Sequence, residues 1–138
     1  MSSRYLVLIG RVLFALIFIT AAPRHFTEEG ARHAAELGLP GADLLVPVSG
    51  ALALAGGLSV ALGYRTRWGA WLLVAFLVPV TLIMHAFWRL HDPVAVHVQQ
   101  AMFAKNLSML GAALLLTQWG GGAFSFDDRH RQGTSGHA

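Results

Sequence analysis

The chain has 138 residues, of which 55% are hydrophobic and 12% are charged, whereas soluble domains average about 25% charged residues. This composition, with a mean hydropathy of +0.56, indicates an integral membrane protein of one domain. The net charge of +3 comes from scattered arginines rather than a dense basic stripe, and cysteine is absent. Disulfides, thiol catalysis, cysteine-ligated zinc and iron–sulfur clusters are therefore excluded, and nucleic-acid binding is not expected.

Four apolar segments follow one another along the chain, at residues 5–23, 44–63, 68–89 and 101–119. Each has the roughly 20 residues that a helix needs to cross a bilayer. We therefore predict an all-α integral membrane four-helix bundle that forms a single domain over residues 1–128. Residues 129–138 are predicted to be a disordered polar tail. The first segment also resembles a signal peptide, but Pro23 directly after Ala22 disfavours cleavage.

The arginines outside the apolar segments indicate the orientation. One side of the predicted bundle holds five of them and the other side holds three, in longer connections: Arg4, Arg65, Arg67, Arg129 and Arg131 against Arg24, Arg32 and Arg89. By the positive-inside rule, both termini are predicted to be cytoplasmic. The loops at residues 23–43 and 89–100 then face outward.

Small residues recur through the second segment at spacings of three and four, namely Gly50, Ala53, Gly57 and Ala61. Such a stripe allows another helix to approach closely in a membrane. We therefore expect this helix to lie against a neighbour along most of its length.

Arg11 lies about two turns inside the first predicted helix, where a charge is costly. Two interpretations remain open. Its long side chain could reach the cytoplasmic headgroups. Alternatively, the sequence "FSFD" could fold back after the fourth helix, so that Asp127 pairs with Arg11.

Most of the histidines fall on the predicted outer side. Five of the seven are there: His25, His33, His85, His91 and His97. The last three are six residues apart, which does not place them on one helical face. The spacing does not match a zinc motif either. We therefore predict no metal site, but we expect a binding site on this side.

Lys105 and Asn106 stand together at the start of the fourth segment. A cation near a helix N-terminus is opposed by the helix dipole. Lys105 either points outward to lipid phosphates or points inward, where it and the free N–H groups of the first turn would attract an oxygen-bearing ligand. In the second case the candidate ligand-binding residues are Lys105 for charge, Asn106 for a hydrogen bond, His85 for proton exchange and Trp88 for stacking.

Five sequences in this order resemble the DoxX-like family of small four-helix membrane proteins: "GRVLFALIFI", "LGYRTRWGAWLL", "HAFW", "FAKNLSMLGAALLL" and "GGGAFSFD". The resemblance covers roughly residues 5–128. It highlights Arg11, Gly63, Arg67, His85, Trp88, Phe103, Lys105, Asn106, Gly111 and Asp127. Many family members have a glutamate near the place of Ala53, and this chain lacks it.

The resemblance implies a multi-pass protein of the bacterial inner membrane that takes part in quinone-linked redox metabolism. We expect it to bind a quinone or a similar small apolar ligand, with no intrinsic cofactor evident. Independent catalysis is not expected, and the sequence identifies no catalytic residue. Two alternatives remain: a non-catalytic subunit or scaffold that docks a redox partner protein, and a small transporter or lipid-binding protein. A homo-oligomer is compatible with each of them.

Overall fold

The structure, a computed structural model, describes residues 3–128 and is helical over that range. It contains five α-helices: α1 Ser3–Ala21, α2 Glu28–Glu36, α3 Ala42–Leu62, α4 Thr66–Met84 and α5 Pro93–Trp119. Two 3-10 segments, Ala22–Phe26 and Phe87–Arg89, follow α1 and α4. The predicted all-α class is confirmed for this part of the chain. The predicted tail at residues 129–138 lies outside the described residues.

Three stretches of the described chain are long and apolar enough to cross a membrane: Ser3–Phe26, Ala42–Leu62 and Thr66–Arg89. They correspond to the first three predicted segments. Helix α5 has 27 residues but is not among them, since Lys105, Asn106 and the glutamines before them make its first half polar. A fourth span, and with it the four-helix membrane bundle, stays a prediction.

The prediction that the fourth helix begins at residue 101 is wrong, because α5 begins at Pro93. The carboxylate of Asp92 accepts a hydrogen bond from the backbone N–H of Ala95 over 2.8 Å, which caps the first turn. Pro93 itself needs no hydrogen-bond donor in the first helical position. Residues 93–100 therefore belong to a helix and not to an outer loop.

The predicted loop at residues 23–43 is also largely helical. The hydroxyl of Thr27 accepts a hydrogen bond from Gly30 N–H over 3.1 Å and so caps α2. Ala34 of α2 packs against Ala42 and Val46 of α3. Helix α2 thus lies on α3 and, with the two 3-10 segments, covers one end of the long helices, which we call the α2 end.

The long helices pack in the order α1, α3, α4, α5, each against the next. Small residues on α3 permit this close approach on both of its sides. A Cβ atom at Gly57 would lie 3.2 Å from Phe18 Cβ of α1. A Cβ atom at Gly56 would lie 2.8 Å from the backbone oxygen of Gly69 in α4. The small-residue stripe predicts one close neighbour, and α1 lies there against Gly57. The approach of α4 at Gly56, which is not part of the stripe, was not predicted.

The opposite end, which we call the terminal end, contains the start of α1 and the segment that follows α5. The rings of Tyr5 and Phe124 are 5.1 Å apart there. The first and last described residues therefore lie at the same end of the molecule, which the predicted orientation requires. Which end faces the cytoplasm stays a prediction.

The contact between α3 and α4 predicts that Gly56→Ala destabilises the protein. The added methyl group would overlap the Gly69 carbonyl and Leu73, and overpacking of this kind costs about 1–3 kcal/mol. Thermal unfolding in detergent should show a lower midpoint. Gly111→Ala is the matched control, because a Cβ atom there meets nothing within 4 Å. Equal midpoints for the two variants would contradict the packing described here.

Candidate functional site

A cleft of about 820 Å³, which we call the α2 cleft, opens at the α2 end and is lined by residues of all five helices. Its walls are mainly apolar and include Val46, Leu52, Phe76, Val80 and Met109. Clefts of this size with apolar walls and a few polar groups are typical small-molecule sites. The α2 cleft is therefore the first place to look for a ligand.

Three of the four candidate ligand-binding residues line the α2 cleft, namely His85, Lys105 and Asn106. Trp88 does not line it. Its ring is 54% exposed and lies 5.2 Å from the Phe87 ring and 5.9 Å from the Phe103 ring. The structure therefore brings Lys105, Asn106 and His85 to one cleft. Trp88, the predicted stacking residue, lies outside it.

Asn106 is the most unusual polar residue of the cleft. It is only 4% exposed, and its side-chain amide has no hydrogen-bond partner within residues 3–128. The fully buried side-chain atoms without a partner in the described chain are Nε of Arg11 and Oγ1 of Thr81, so the Asn106 amide is not sealed off from the cleft. Because Asn106 lines the cleft, its donor and acceptor are available to a molecule bound there.

His85 ends α4 and is held from the other side by α5. Its Nδ1 lies 2.8 Å from Oε1 of Gln99. When Nδ1 carries the proton and donates it to Gln99, Nε2 is left as an acceptor. The hydroxyl of Thr81, one turn earlier in α4, is buried and has no hydrogen-bond partner in the described chain.

Pro79 adds a further polar feature to the cleft wall. Proline has no N–H, so Pro79 cannot complete the helical hydrogen bond to the carbonyl group of Ala75. Both residues line the cleft. The wall of α4 therefore offers a backbone acceptor that an uninterrupted helix would use internally.

Lys105 lies at the cleft with an exposed side chain, and its Nζ is 3.4 Å from Sδ of Met102. The expectation that free N–H groups of the first helical turn surround it is wrong. Helix α5 begins at Pro93, so Lys105 lies about three turns inside it. Lys105 can still supply positive charge to the cleft, but it does so without help from the helix terminus.

The sequence reasoning missed the contribution of α2, which brings Glu29, Arg32 and His33 to the cleft. A signal was present in the order of Thr27, Glu28 and Glu29, since a capping threonine followed by acids is typical of a helix start. These side chains give the cleft a charged rim above its apolar walls.

At the terminal end, Arg11 is buried, with 4% exposure. Its Nη1 donates to the backbone oxygen of Gly121, and its Nη2 donates to that of Phe124 over 3.0 Å. The guanidinium therefore binds the segment that follows α5. The sequence "FSFD" folds back as the second interpretation has it, and the charges of Arg11 and Asp127 interact. The hydrogen bonds of Arg11, however, go to backbone oxygens and not to the Asp127 carboxylate.

Asp127 caps the N-terminus of α4, although it is about 60 residues away along the chain. Oδ1 accepts from Arg65 N–H over 2.7 Å, and Oδ2 accepts from the N–H and the hydroxyl of Thr66 over 2.9 and 2.8 Å. Burial raises the pKa of Asp127, but the hydrogen bonds from Thr66 and Arg65 and the charge of Arg11 outweigh it, so that the pKa lies below its ordinary value. We call the contacts of Arg11 and Asp127 the terminal clasp.

Within residues 3–128, no group of three or more histidine, aspartate or glutamate side chains is arranged to hold a metal ion. The candidate chemistry of the described chain is therefore that of a hydrogen-bonding and charged cleft at one end and a clasp at the other.

The model of the SURF4 family matches residues 1–132 of the chain. The chain is 32% identical to the inner membrane protein YqjF of Escherichia coli over 123 residues. These residues make up 88% of this chain and 88% of YqjF. The chain is also 32% identical over 126 residues to the inner membrane protein YphA of Escherichia coli, which covers 90% of this chain and 89% of that protein. No solved structure matches it.

This protein therefore belongs to the SURF4 family. The relatives and the apolar helices confirm the predicted localisation, a multi-pass protein of the bacterial inner membrane. The comparisons confirm that the chain belongs to a family of membrane proteins, as the resemblance to DoxX-like proteins implies. The narrower DoxX assignment stays a prediction.

The terminal clasp predicts that Asp127→Asn destabilises the protein at neutral pH. The variant weakens a helix cap and three hydrogen bonds to α4, which costs about 1–2 kcal/mol. Thermal unfolding in detergent should show a lower midpoint at pH 7. Asp43→Asn is the control, because Asp43 is exposed in the first turn of α3.

The same contacts predict how this difference depends on pH. The folded-state pKa of Asp127 is lowered from the ordinary 3.8, so its stabilisation is fully present above that value and is lost as the pH falls below it. The difference in midpoint between wild type and Asp127→Asn should therefore stay constant above pH 3.8 and shrink as the pH is lowered below that value. A difference that already vanishes above pH 3.8, or one that grows as the pH falls below it, would contradict the capping role.

Proposed function

We propose that this protein is an inner-membrane ligand-binding protein whose α2 cleft holds a small amphipathic molecule, and that this molecule is a quinone. The observation that carries the proposal is the amide of Asn106. The residue is 4% exposed as a whole, its side chain has no hydrogen-bond partner within residues 3–128, and it lines an open apolar cleft. A bound carbonyl oxygen would supply the missing partner.

The other residues of the cleft fit the two ends of such a ligand. Lys105 supplies a cation near the oxygen-bearing ring, and charge-assisted hydrogen bonds are stronger than neutral ones. His85, held by Gln99, offers Nε2 to a hydroxyl of the reduced form. The apolar walls formed by Leu52, Phe76 and Val80 accommodate the hydrocarbon part.

The motifs that resemble DoxX-like proteins also favour a quinone-linked role. In this proposal the chain binds the quinone and a partner protein exchanges electrons with it, because a chain without cysteine has no thiol for that purpose. In this proposal the α2 cleft provides a ligand site within one chain, whether or not the protein forms a homo-oligomer.

Two alternative functions have less support. A pure scaffold would bury Lys105 and Asn106 in packing contacts, whereas these residues line an open cleft. A transporter needs a polar path between the two ends. The core between the ends is formed by apolar side chains, among them Phe18, Leu73 and Leu77, which disfavours such a path.

The proposal predicts that quinone extracts with the purified protein. Wild-type protein isolated from membranes in mild detergent should contain quinone on lipid extraction and mass spectrometry. Lys105→Met removes the charge-assisted contact and should reduce affinity for a short-chain quinone by about tenfold or more. Ser108→Ala is the control, because Ser108 lies on α5 with its hydroxyl bonded to the Ala104 carbonyl and outside the cleft. Equal quinone content in wild type and Lys105→Met would refute the proposal.

Asn106→Leu gives a second prediction with two opposite effects. Asn106 is 4% exposed, so replacing its amide by an apolar group of similar size removes a polar group from a mainly apolar cleft, and the ligand-free variant should unfold at a higher temperature. The same change should weaken quinone binding by about fivefold, the worth of one hydrogen bond. Titration calorimetry and thermal unfolding measure the two effects. A variant that binds as wild type does would show that Asn106 does not contact the ligand.

A further inference from the structure

The terminal end contains a second recess that the proposed function does not use. A cavity of about 600 Å³ lies there between the start of α4 and the segment that follows α5. Three arginines line it, Arg4 from α1 and Arg65 and Arg67 from the start of α4. Residues distant in sequence thus bring positive charge to one place, which we call the arginine recess.

The three guanidinium groups have no acceptor within residues 3–128. None of them donates a hydrogen bond in that range, although Arg65 lies over the Tyr64 ring, 5.8 Å from its centroid. Arg67 extends toward Gly120, because a Cβ atom there would lie 3.7 Å from Nε of Arg67. Arginine side chains present five donors in a planar fork that matches phosphate oxygens.

The acidic residues of the recess do not cancel this charge. The carboxylate of Asp127 is already engaged by the backbone of Arg65 and Thr66, and Asp128 is the other acid that lines the recess. Arg11 lies directly behind the wall, bonded to Gly121. Four arginines therefore act on a space that two aspartates line, which leaves a net attraction for an anion.

The backbone of Arg65 adds an independent observation. Arg65 has a φ of 47°, in the left-handed region, where a residue other than glycine costs roughly 1–2 kcal/mol. Asp127 holds it in that conformation through the Arg65 N–H. The terminal clasp therefore maintains an arginine in a position where glycine would fit at lower cost, and the Arg65 side chain lines the recess.

Two tryptophans on the rim locate the recess relative to the bilayer. Trp68 is 72% exposed and Trp119 is 74% exposed, and both line the recess. Exposed tryptophans at the ends of apolar helices lie at the level of the lipid headgroups. This places the arginines of the recess at the depth of lipid phosphates, beside the acyl chains of the same leaflet.

We propose that the arginine recess is a binding site for the phosphate headgroup of an anionic phospholipid. Arg4, Arg65 and Arg67 bind the phosphodiester, and Trp68 and Trp119 lie beside the glycerol and the first part of the acyl chains. This site lies at the opposite end of the molecule from the α2 cleft and shares no lining residue with it. The lipid proposal therefore does not depend on the quinone proposal.

Native mass spectrometry of the detergent-purified protein tests this proposal, with phosphatidylglycerol and phosphatidylcholine as probes. Wild type should retain phosphatidylglycerol in preference to phosphatidylcholine. Each arginine near a membrane surface changes affinity for anionic lipid by about fivefold, so Arg65→Gln/Arg67→Gln should weaken phosphatidylglycerol binding by roughly 25-fold. Arg89→Gln is the matched control, since it removes an exposed arginine of the α2 end and should leave the binding unchanged.

Two additional measurements keep the test decisive. Arg4→Gln, at the edge of the recess, should weaken binding by about fivefold even if the double variant folds poorly. Inorganic phosphate at millimolar concentration should not displace the lipid. Equal retention of the two lipids by wild type, equal loss in Arg89→Gln, or displacement by inorganic phosphate would each overturn the proposal of a phospholipid site.

Discussion

Arg11 is the residue on which the terminal end of the structure depends. A guanidinium two turns inside an apolar helix must find acceptors within the protein, because the hydrocarbon around it offers none. The acceptors are the backbone oxygens of Gly121 and Phe124, which draw the segment after α5 across the end of α1. That segment carries Asp127 to the start of α4. One buried cation thereby ties together α1, α4 and the segment that follows α5.

The clasp also explains the glycines beside it. A Cβ atom at Gly121 would lie 2.6 Å from Oγ1 of Thr66 and 3.2 Å from Nη1 of Arg11. Gly63, with a φ of 69°, offers its backbone oxygen to the N–H of Asp127 over 3.0 Å. The contacts of Arg11 and Asp127 form only if these backbones come close, so a side chain at either position would separate the helices that the charges join.

Much of the fold could be predicted from the sequence, because long apolar runs have few structural solutions in a membrane. Residue patterns in the sequence predict the approximate positions of three apolar helices, a close neighbour for α3 and the fold-back of the segment that contains Asp127. The helical state of residues 23–43 and 93–100 was missed, because polar connections between spans were assumed to be loops. Thr27 and Asp92 were the informative residues there, since each caps a helix that hydropathy cannot reveal.

The candidate site was predictable in its members but not in its geometry. His85, Lys105 and Asn106 could be selected because polar groups in apolar surroundings are costly. Which of them share a cleft depends on the tertiary structure. Trp88 follows His85 by three residues, yet the chain leaves α4 at His85 and enters a 3-10 segment. Helical spacing therefore no longer applies, and the Trp88 ring packs with Phe87 and Phe103 instead.

The polar residues of α5 lower its hydropathy, and two of them, Lys105 and Asn106, line the α2 cleft. Lys105 and Asn106 help to make α5 less apolar than α1, α3 and α4, although at 27 residues it is the longest of the described helices. A leucine at position 106 would favour both membrane insertion and packing. Asn106 instead stands at the wall of an open cleft, where its side chain has no hydrogen-bond partner within residues 3–128. Under the proposed function, a bound molecule would hydrogen-bond to this amide and so offset the cost of a polar residue at this position.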